Sequence, residues 1–237
     1  MRSIVFALGC LVVSSALAIG VAPTRLIFKT ANEEAQSLRI VGDKLADTAV
    51  ELYVLARKFQ TDEVQLVPDE GACIELSIPQ TLIKSGSGQE VWVQPDPMTP
   101  GCYGQSFYLV IETLPIAGAE SGHSGQLRIA PTFLVPIHLA PSSAADLSFS
   151  LQQEGRYLQL SNSSNASILY SSLQLELQDE ITGQWRLLSG RVIAAALNSD
   201  ALLAGERRVL AIPELLGEGT FTDIRRASAD IPPGDKI

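Results

Sequence analysis

Apolar residues along most of this chain stand in short alternating runs broken by Gly, Pro, Asn and Asp, and few windows carry the spacing of a helix. Strands are predicted over 21–29, 37–41, 49–58, 74–78, 90–94 and 106–114, with a longer one over 127–139. Short strands with turn residues at this spacing predict an immunoglobulin-like sandwich. The small-residue segment Ala140-Pro141-Ser142-Ser143-Ala144 reads as a hinge, after which the pattern restarts. Further strands are predicted over 147–151, 157–161, 169–177, 185–188, 192–195, 207–212 and 220–225, with Asn162-Ser163-Ser164-Asn165 as a polar turn. The segment 191–203 is ambiguous, because Ala194 to Leu197 also suits a helical turn. The tail from Ala227, with Pro232-Pro233-Gly234, is expected to be loose. The fold class is therefore all-β, as two immunoglobulin-like β-sandwich domains at 19–140 and 141–237.

The first residues change the picture of where the chain works. Arg2 precedes an apolar run from Ile4 to Val13, and Ser14-Ser15-Ala16-Leu17-Ala18 places small residues where a signal peptidase reads them. The run is short for a membrane span, so residues 1–18 are expected to be a cleaved secretory signal peptide. Cys10 lies inside the apolar run without a leucine three residues earlier, and it reads as a bystander rather than a lipid-bearing cysteine. No later segment is apolar and long enough to form an integral membrane segment.

Composition and chemistry exclude several classes. Hydrophobic residues make up 46% and charged residues 18%, enough apolar material for a core and unlike a disordered chain. A formal net charge of -9 without a basic stripe argues against nucleic acid as a partner. Cys73 and Cys102 remain after leader removal, and two cysteines in an oxidising compartment read most simply as one disulfide. Such a link would stabilise by roughly 3–4 kcal/mol in the chain-entropy account. Their spacing matches no zinc pattern, and the histidines are His123, in a Gly-rich loop, and His138, in the apolar end of a strand. Gly-x-Ser-x-Gly and phosphate-cradling loops are absent, and Asp43, Asp47, Glu51 and the other carboxylates are scattered. No catalytic residue, metal site or cofactor is expected, and the chain does not read as an enzyme.

Several local patterns together resemble the PapD-like periplasmic chaperones of pilus assembly. Val21-Ala22-Pro23-Thr24-Arg25 is similar to the first-strand signature, and Ser77-Ile78-Pro79 with Gly88-Gln89-Glu90-Val91 to a mid-domain segment. Gln105 to Leu114-Pro115 is similar to the strand that follows, and Pro136-Ile137-His138-Leu139-Ala140-Pro141 to the last strand, nearest the archaic branch. Leu160-Ser161-Asn162 with Asn165-Ala166, and Leu203-Ala204-Gly205-Glu206-Arg207-Arg208, resemble two elements of the second domain.

The resemblance implies an L-shaped pair of sandwiches in the periplasm, working with pilus or fimbrial subunits and an outer-membrane usher. It implies donor-strand complementation, in which the chaperone lends a strand to an incomplete subunit. Leu127, Ile129, Pro131, Phe133, Val135, Ile137 and Leu139 alternate on one face of the last predicted strand, and Leu127, Ile129 and Phe133 would be the donor residues. Pro131 removes a backbone donor, which is tolerated at an edge or a bulge. Leu134, Val135 and Leu139 would be buried between the domains. Arg25 would anchor the subunit's terminal carboxylate, because a guanidinium grips carboxylates bidentately. Two positions depart from the family pattern: Pro136 stands where a second, lysine anchor is usual, and Trp92 where an arginine is usual. A packed Trp92 is the commoner reading of its chemistry, with a partner-facing aromatic as the alternative.

A second reading stays open on the residues alone. A secreted two-domain immunoglobulin-like adhesin or structural surface protein would show the same β pattern. Val21 starts a strand almost at once and a second sandwich follows, unlike a single-domain subunit with a polar N-terminal extension. The Asn-x-Ser sites at Asn162 and Asn165 would matter only in a glycosylating host.

Overall fold

The computed structural model describes residues 19–29, 33–69, 73–96, 99, 101–115, 130–140, 147–217 and 219–226. The leader with Cys10, His123, Leu127, Arg128, Ile129, residues 141–144 of the hinge and the tail from Ala227 lie outside the described residues.

The first part of the chain runs through β1 (Gly20–Ala22), β2 (Leu26–Phe28), β3 (Gln36–Val41), β4 (Thr48–Gln60) and β5 (Glu63–Pro68). It continues through β6 (Ile74–Leu76), β7 (Gln80–Ile83), β8 (Gly88–Pro95), β9 (Ser106–Leu114) and β10 (Thr132–Leu139). One sheet has the order β1-β3-β8-β6, and the facing sheet has β2-β10-β9-β4-β5 with β7 also on β4. Strict alternation drives this packing. In β4, Val50, Leu52, Val54 and Ala56 turn inward to meet Phe107, Leu109 and Ile111 of β9 and Val135, Ile137 and Leu139 of β10. Leu38, Ile40, Val91 and Val93 close the core from the other sheet. Each fully buried side chain of this kind contributes roughly 1.5–3 kcal/mol.

Local chemistry explains where the prediction and the structure differ. The strand expected over 21–29 is two strands in different sheets, because the chain crosses between layers at Pro23 to Arg25. Hairpin strand β5 lies outside the predicted strands; its Val64 and Leu66 alternate with Glu63 and Gln65, yet both are exposed. It forms because Thr61 and Asp62 both take positive φ, 49° and 62°, in a two-residue turn that matches strand twist.

The second part holds β11 (Leu147–Gln152), β12 (Tyr157–Asn162), β13 (Ile168–Leu169), a 3-10 turn (Tyr170–Ser172), β14 (Gln174–Asp179) and β15 (Trp185–Ser189). Then follow α1 (Gly190–Leu197), β16 (Ala201–Leu202), β17 (Arg207–Ala211), α2 (Ile212–Leu216) and β18 (Phe221–Arg226). Its sheets are β11-β12-β17, β13-β16 and β15-β14-β18 around a separate core that includes Leu158, Leu160, Tyr170, Leu175, Leu177 and Phe221. The strand predicted over 192–195 is the helix α1 instead. Alanine favours a helix, and the turn puts Ile193, Ala194 and Leu197 together against the core, with Asn198 closing it in the left-handed conformation. The strand predicted over 169–177 is broken by the 3-10 turn that buries Tyr170. Of the predicted turn, Asn162 ends β12, fully buried, and its Nδ2 donates to the carbonyls of Ala166, Leu202 and Leu203.

Candidate functional site: an open strand edge beside the junction of the two cores

The outward face of the β2-β10-β9-β4-β5 sheet is built in rows across the strands. The pairings Arg57↔Ser106 and Ser106↔His138 put three polar side chains in one row. The next row holds Leu55, Tyr108 and Pro136, and the one after it Tyr53, Val110 and Leu134. An isolated arginine on such a face would stay in water, yet the Arg57 side chain is 3% exposed. It is covered by the second part of the chain, which brings Asp200 from the connection between α1 and β16.

Asp200 bridges the row. Its Oδ1 accepts from Arg57 Nη1 at 2.7 Å, and its Oδ2 lies 2.6 Å from His138 Nε2. Arg57 Nη1 also donates to Ser106 Oγ at 3.0 Å, and Ser106 Oγ lies 3.0 Å from His138 Nδ1. One proton pattern satisfies the ring of contacts: Ser106 accepts from Arg57 and donates to Nδ1, leaving Nε2–H to donate to Asp200. The Arg57 guanidinium also lies 4.6 Å over the Tyr108 ring. Burial pushes the Asp200 carboxyl up, but the hydrogen bond from His138 and the charge and hydrogen bond of Arg57 outweigh it and hold the group well below the usual carboxylate range. A backbone contact reinforces the junction. Gly104 donates to Leu139 O at 2.7 Å and accepts from Ser167 N at 2.6 Å. Gly104 follows Cys102 in a loop tied to the first core by the Cys73–Cys102 disulfide, with Cα atoms 5.5 Å apart.

Beside this junction β10 has an edge that no strand covers among the described residues. In the sheet order β10 lies between β2 and β9, but β2 pairs only with Ile137, His138 and Leu139. Thr132 to Val135 therefore have a neighbour on the β9 side alone among the described residues. Leu139 donates to Gln105 on the β9 side, whereas Ala140 donates to Phe28 on the β2 side. By the alternation of a strand, Thr132 and Leu134 turn their backbone groups toward the open side, whereas Pro136 lies where β2 begins. Unpaired N–H and C=O groups in such a row are a template for another strand.

Arg25 stands where that edge closes. It is exposed and immediately precedes Leu26, whose partner on β10 is Ile137. Among the described residues it makes no ion pair. Of the three expected donor residues, Leu127 and Ile129 lie outside the described residues, while Phe133 is half-buried and packs against the first core. The expectation for the end of the strand needs correction. Val135 and Leu139 belong to the first core and not to the space between domains, because they share the inward phase of β10, while Leu134 lies on the opposite face, 50% exposed. Trp92 is likewise not packed but 48% exposed, since it alternates with the inward Val91 and Val93 on β8. Arg57 and Asp200 carried no signal in the sequence, because they are 143 positions apart. His138, in the apolar end of its strand, is a structural histidine with both ring nitrogens in contact with Ser106 and Asp200.

Among the described residues no cluster of His, Cys, Asp and Glu could hold a metal ion, and no helix is long and apolar enough to cross a membrane. No family model matches this sequence, and no curated protein is detectably similar to it. Solved structures do match along nearly the whole chain. The class 5 fimbriae chaperone CfaA is similar with a TM-score of 0.58 and 10% identity, over 92% of this chain and 95% of that one. A chain of the chaperone–tip adhesin complex of CFA/I fimbriae biogenesis gives 0.57 and 10%, over 91% and 94%. A chain of the CsuC–CsuE chaperone–tip adhesion subunit complex, from the archaic chaperone-usher Csu pili of Acinetobacter baumannii, gives 0.50 and 14%, over 83% and 91%. With two β-built cores joined through Asp200, and at identities this low, the chain has the two-domain all-β fold of the fimbrial chaperones in a strongly diverged sequence.

Proposed function

We propose that this protein is a periplasmic chaperone that captures fimbrial subunits by strand addition to β10 and passes them to an outer-membrane usher. The observation that carries this reading is the open edge of β10 ending at Arg25. An incomplete subunit needs a strand along its own unpaired edge, and backbone hydrogen bonding supplies it without any covalent step. Leu127 and Ile129, with Phe133 at the point where the strand joins its own core, are the side chains assigned to the subunit's groove. Removal of residues 1–18 places the chain in the periplasm, and its two domains divide at the hinge around Pro141.

The placement of β2 also favours a direction. β2 runs parallel to β10 and fills the edge from Ile137 onward. A strand added parallel to β10 would end its C-terminus against Arg25, where the guanidinium meets a carboxylate. An antiparallel strand would bring a terminal ammonium to the same cation. Charge therefore favours parallel addition.

Co-expression of the chain with a fimbrial subunit from its gene neighbourhood tests the reading. The expected result is a soluble one-to-one complex that protects the subunit from degradation and is lost in Arg25→Glu with the fold retained. A variant that still captures subunit at wild-type yield removes the anchor. Absence of any complex, with the protein outside the cell, favours the adhesin reading instead.

A further inference from the structure

We infer that the β10 edge selects its partner by side chain as well as by backbone: the added strand carries a lysine or arginine beside Thr132 and an apolar residue beside Leu134. The inference rests on strand addition at β10 and names the sequence pattern that this site takes.

Beyond the row of Tyr53, Val110 and Leu134, the same sheet face sets Glu51 opposite Glu112 and Glu112 opposite Thr132. Like charges directly opposite on neighbouring strands destabilise a sheet, so by itself the pair is unfavourable for the fold. The side chains that donate to it are neutral: Gln80 Nε2 to Glu51 Oε1 at 3.2 Å and Tyr53 Oη to Glu112 Oε2 at 3.3 Å. No ion pair among the described residues includes either carboxylate. Burial, then the charges of Glu112 and Glu51, push the Tyr53 hydroxyl up, so both carboxylates bear on one spot of the face. A strand added to β10 lies one strand spacing beyond Thr132 and two beyond Glu112, about 10 Å. Threonine is short, and the long stem of a lysine or arginine crosses it to set a charge against the two carboxylates. One row nearer Arg25, Leu134 is 50% exposed while its neighbour Val110 is buried. An apolar side chain beside Leu134 continues that row and takes its exposed surface out of water. In a strand parallel to β10 the cation comes two residues before this apolar side chain.

Synthetic ten-residue peptides of alternating threonine and valine provide the probe, each with lysine, glutamine or glutamate at one place three, four or five residues before the last. Binding to the full chain without its leader is read by fluorescence anisotropy, and the amide resonances of Thr132 and Leu134 report the site. The net charge of -9 favours every lysine peptide alike, so only the dependence on place counts. At the place that falls beside Thr132, lysine is expected to bind about fivefold more tightly than glutamine, the upper end for one exposed ion pair, and glutamate more weakly than either. Glu51→Gln combined with Glu112→Gln is expected to bring lysine and glutamine within about twofold while unfolding no earlier than wild type. A lysine preference that persists in this variant, or that is equal at all three places, overturns the inference while strand addition stands. So does a double variant markedly less stable than wild type, since the carboxylates would then serve the fold. Arg128 precedes Thr132 outside the described residues, and a lysine preference that arises only in Arg128→Gln would give the carboxylates to this chain's own arginine and overturn the inference as well. If no peptide perturbs Thr132 or Leu134 in the wild-type protein, strand addition itself falls and takes the inference with it.

Discussion

Arg57 and Asp200, 143 positions apart, meet at 2.7 Å where the two cores touch. Asp200 gives its second oxygen to His138 on β10, so a single carboxylate of the second core holds two positions, on either side of Ser106, of the sheet that carries the open edge. Whatever loosens this carboxylate also frees the C-terminal end of β10 from the second core.

Asp200→Asn should therefore destabilise the protein by about 3 kcal/mol, the low end for breaking a buried pair, because Asp200 is 22% exposed. Replacing both partners, as Arg57→Met with Asp200→Leu, should cost less than Asp200→Asn alone, since no uncompensated guanidinium remains. Denaturant unfolding of the three variants checks the order, and a double variant less stable than the single one would contradict it.

The pH dependence follows from the sign of the Asp200 shift. Its carboxyl is held below the ordinary range when folded, so its contribution is complete above the unfolded value near pH 4 and is lost as pH falls through the depressed folded value. The stability gap between wild type and Asp200→Asn should stay open at pH 5 and narrow only in strong acid. Thermal unfolding of the pair across pH 3–7 measures this, and a gap that closes already at pH 5 would refute it.

Loss of the disulfide should act on the first core and on the junction. Replacing Cys73 and Cys102 by serine should remove roughly 3–4 kcal/mol. Because Cys102 lies in the loop whose Gly104 accepts from Ser167, hydrogen exchange at Ser167 should accelerate along with that of the first core. Unchanged protection at Ser167 would separate the disulfide from the junction.

Gly190 begins α1 against the backbone of the 3-10 turn, where an added Cβ would sit 1.6 Å from Tyr170 O. Gly190→Ala should therefore displace backbone in the second core and cost about 3 kcal/mol, at the top of the overpacking range. Unfolding followed by Trp185 fluorescence reads it, and a loss below about 1 kcal/mol would mean that α1 can shift freely.

The sequence by itself determined the β character of both parts and the pairing of Cys73 with Cys102. These rest on period-two alternation, local composition and cysteine number, all carried by neighbouring residues or by counting. Strands such as β4 and β9 were legible because every second side chain is apolar and buried. Helix α1 was legible only as an ambiguity, since Val-Ile-Ala-Ala suits either period until the core selects one face. Arg25 could be singled out from its motif, but its position at the end of the β10 edge needs the parallel pairing with β2. Arg57 with Asp200, the open side of β10 and the exposure of Trp92 were decided only by tertiary structure. Each depends on which surfaces meet across long stretches of chain, and no local pattern encodes the partner of a charge or the open side of a strand.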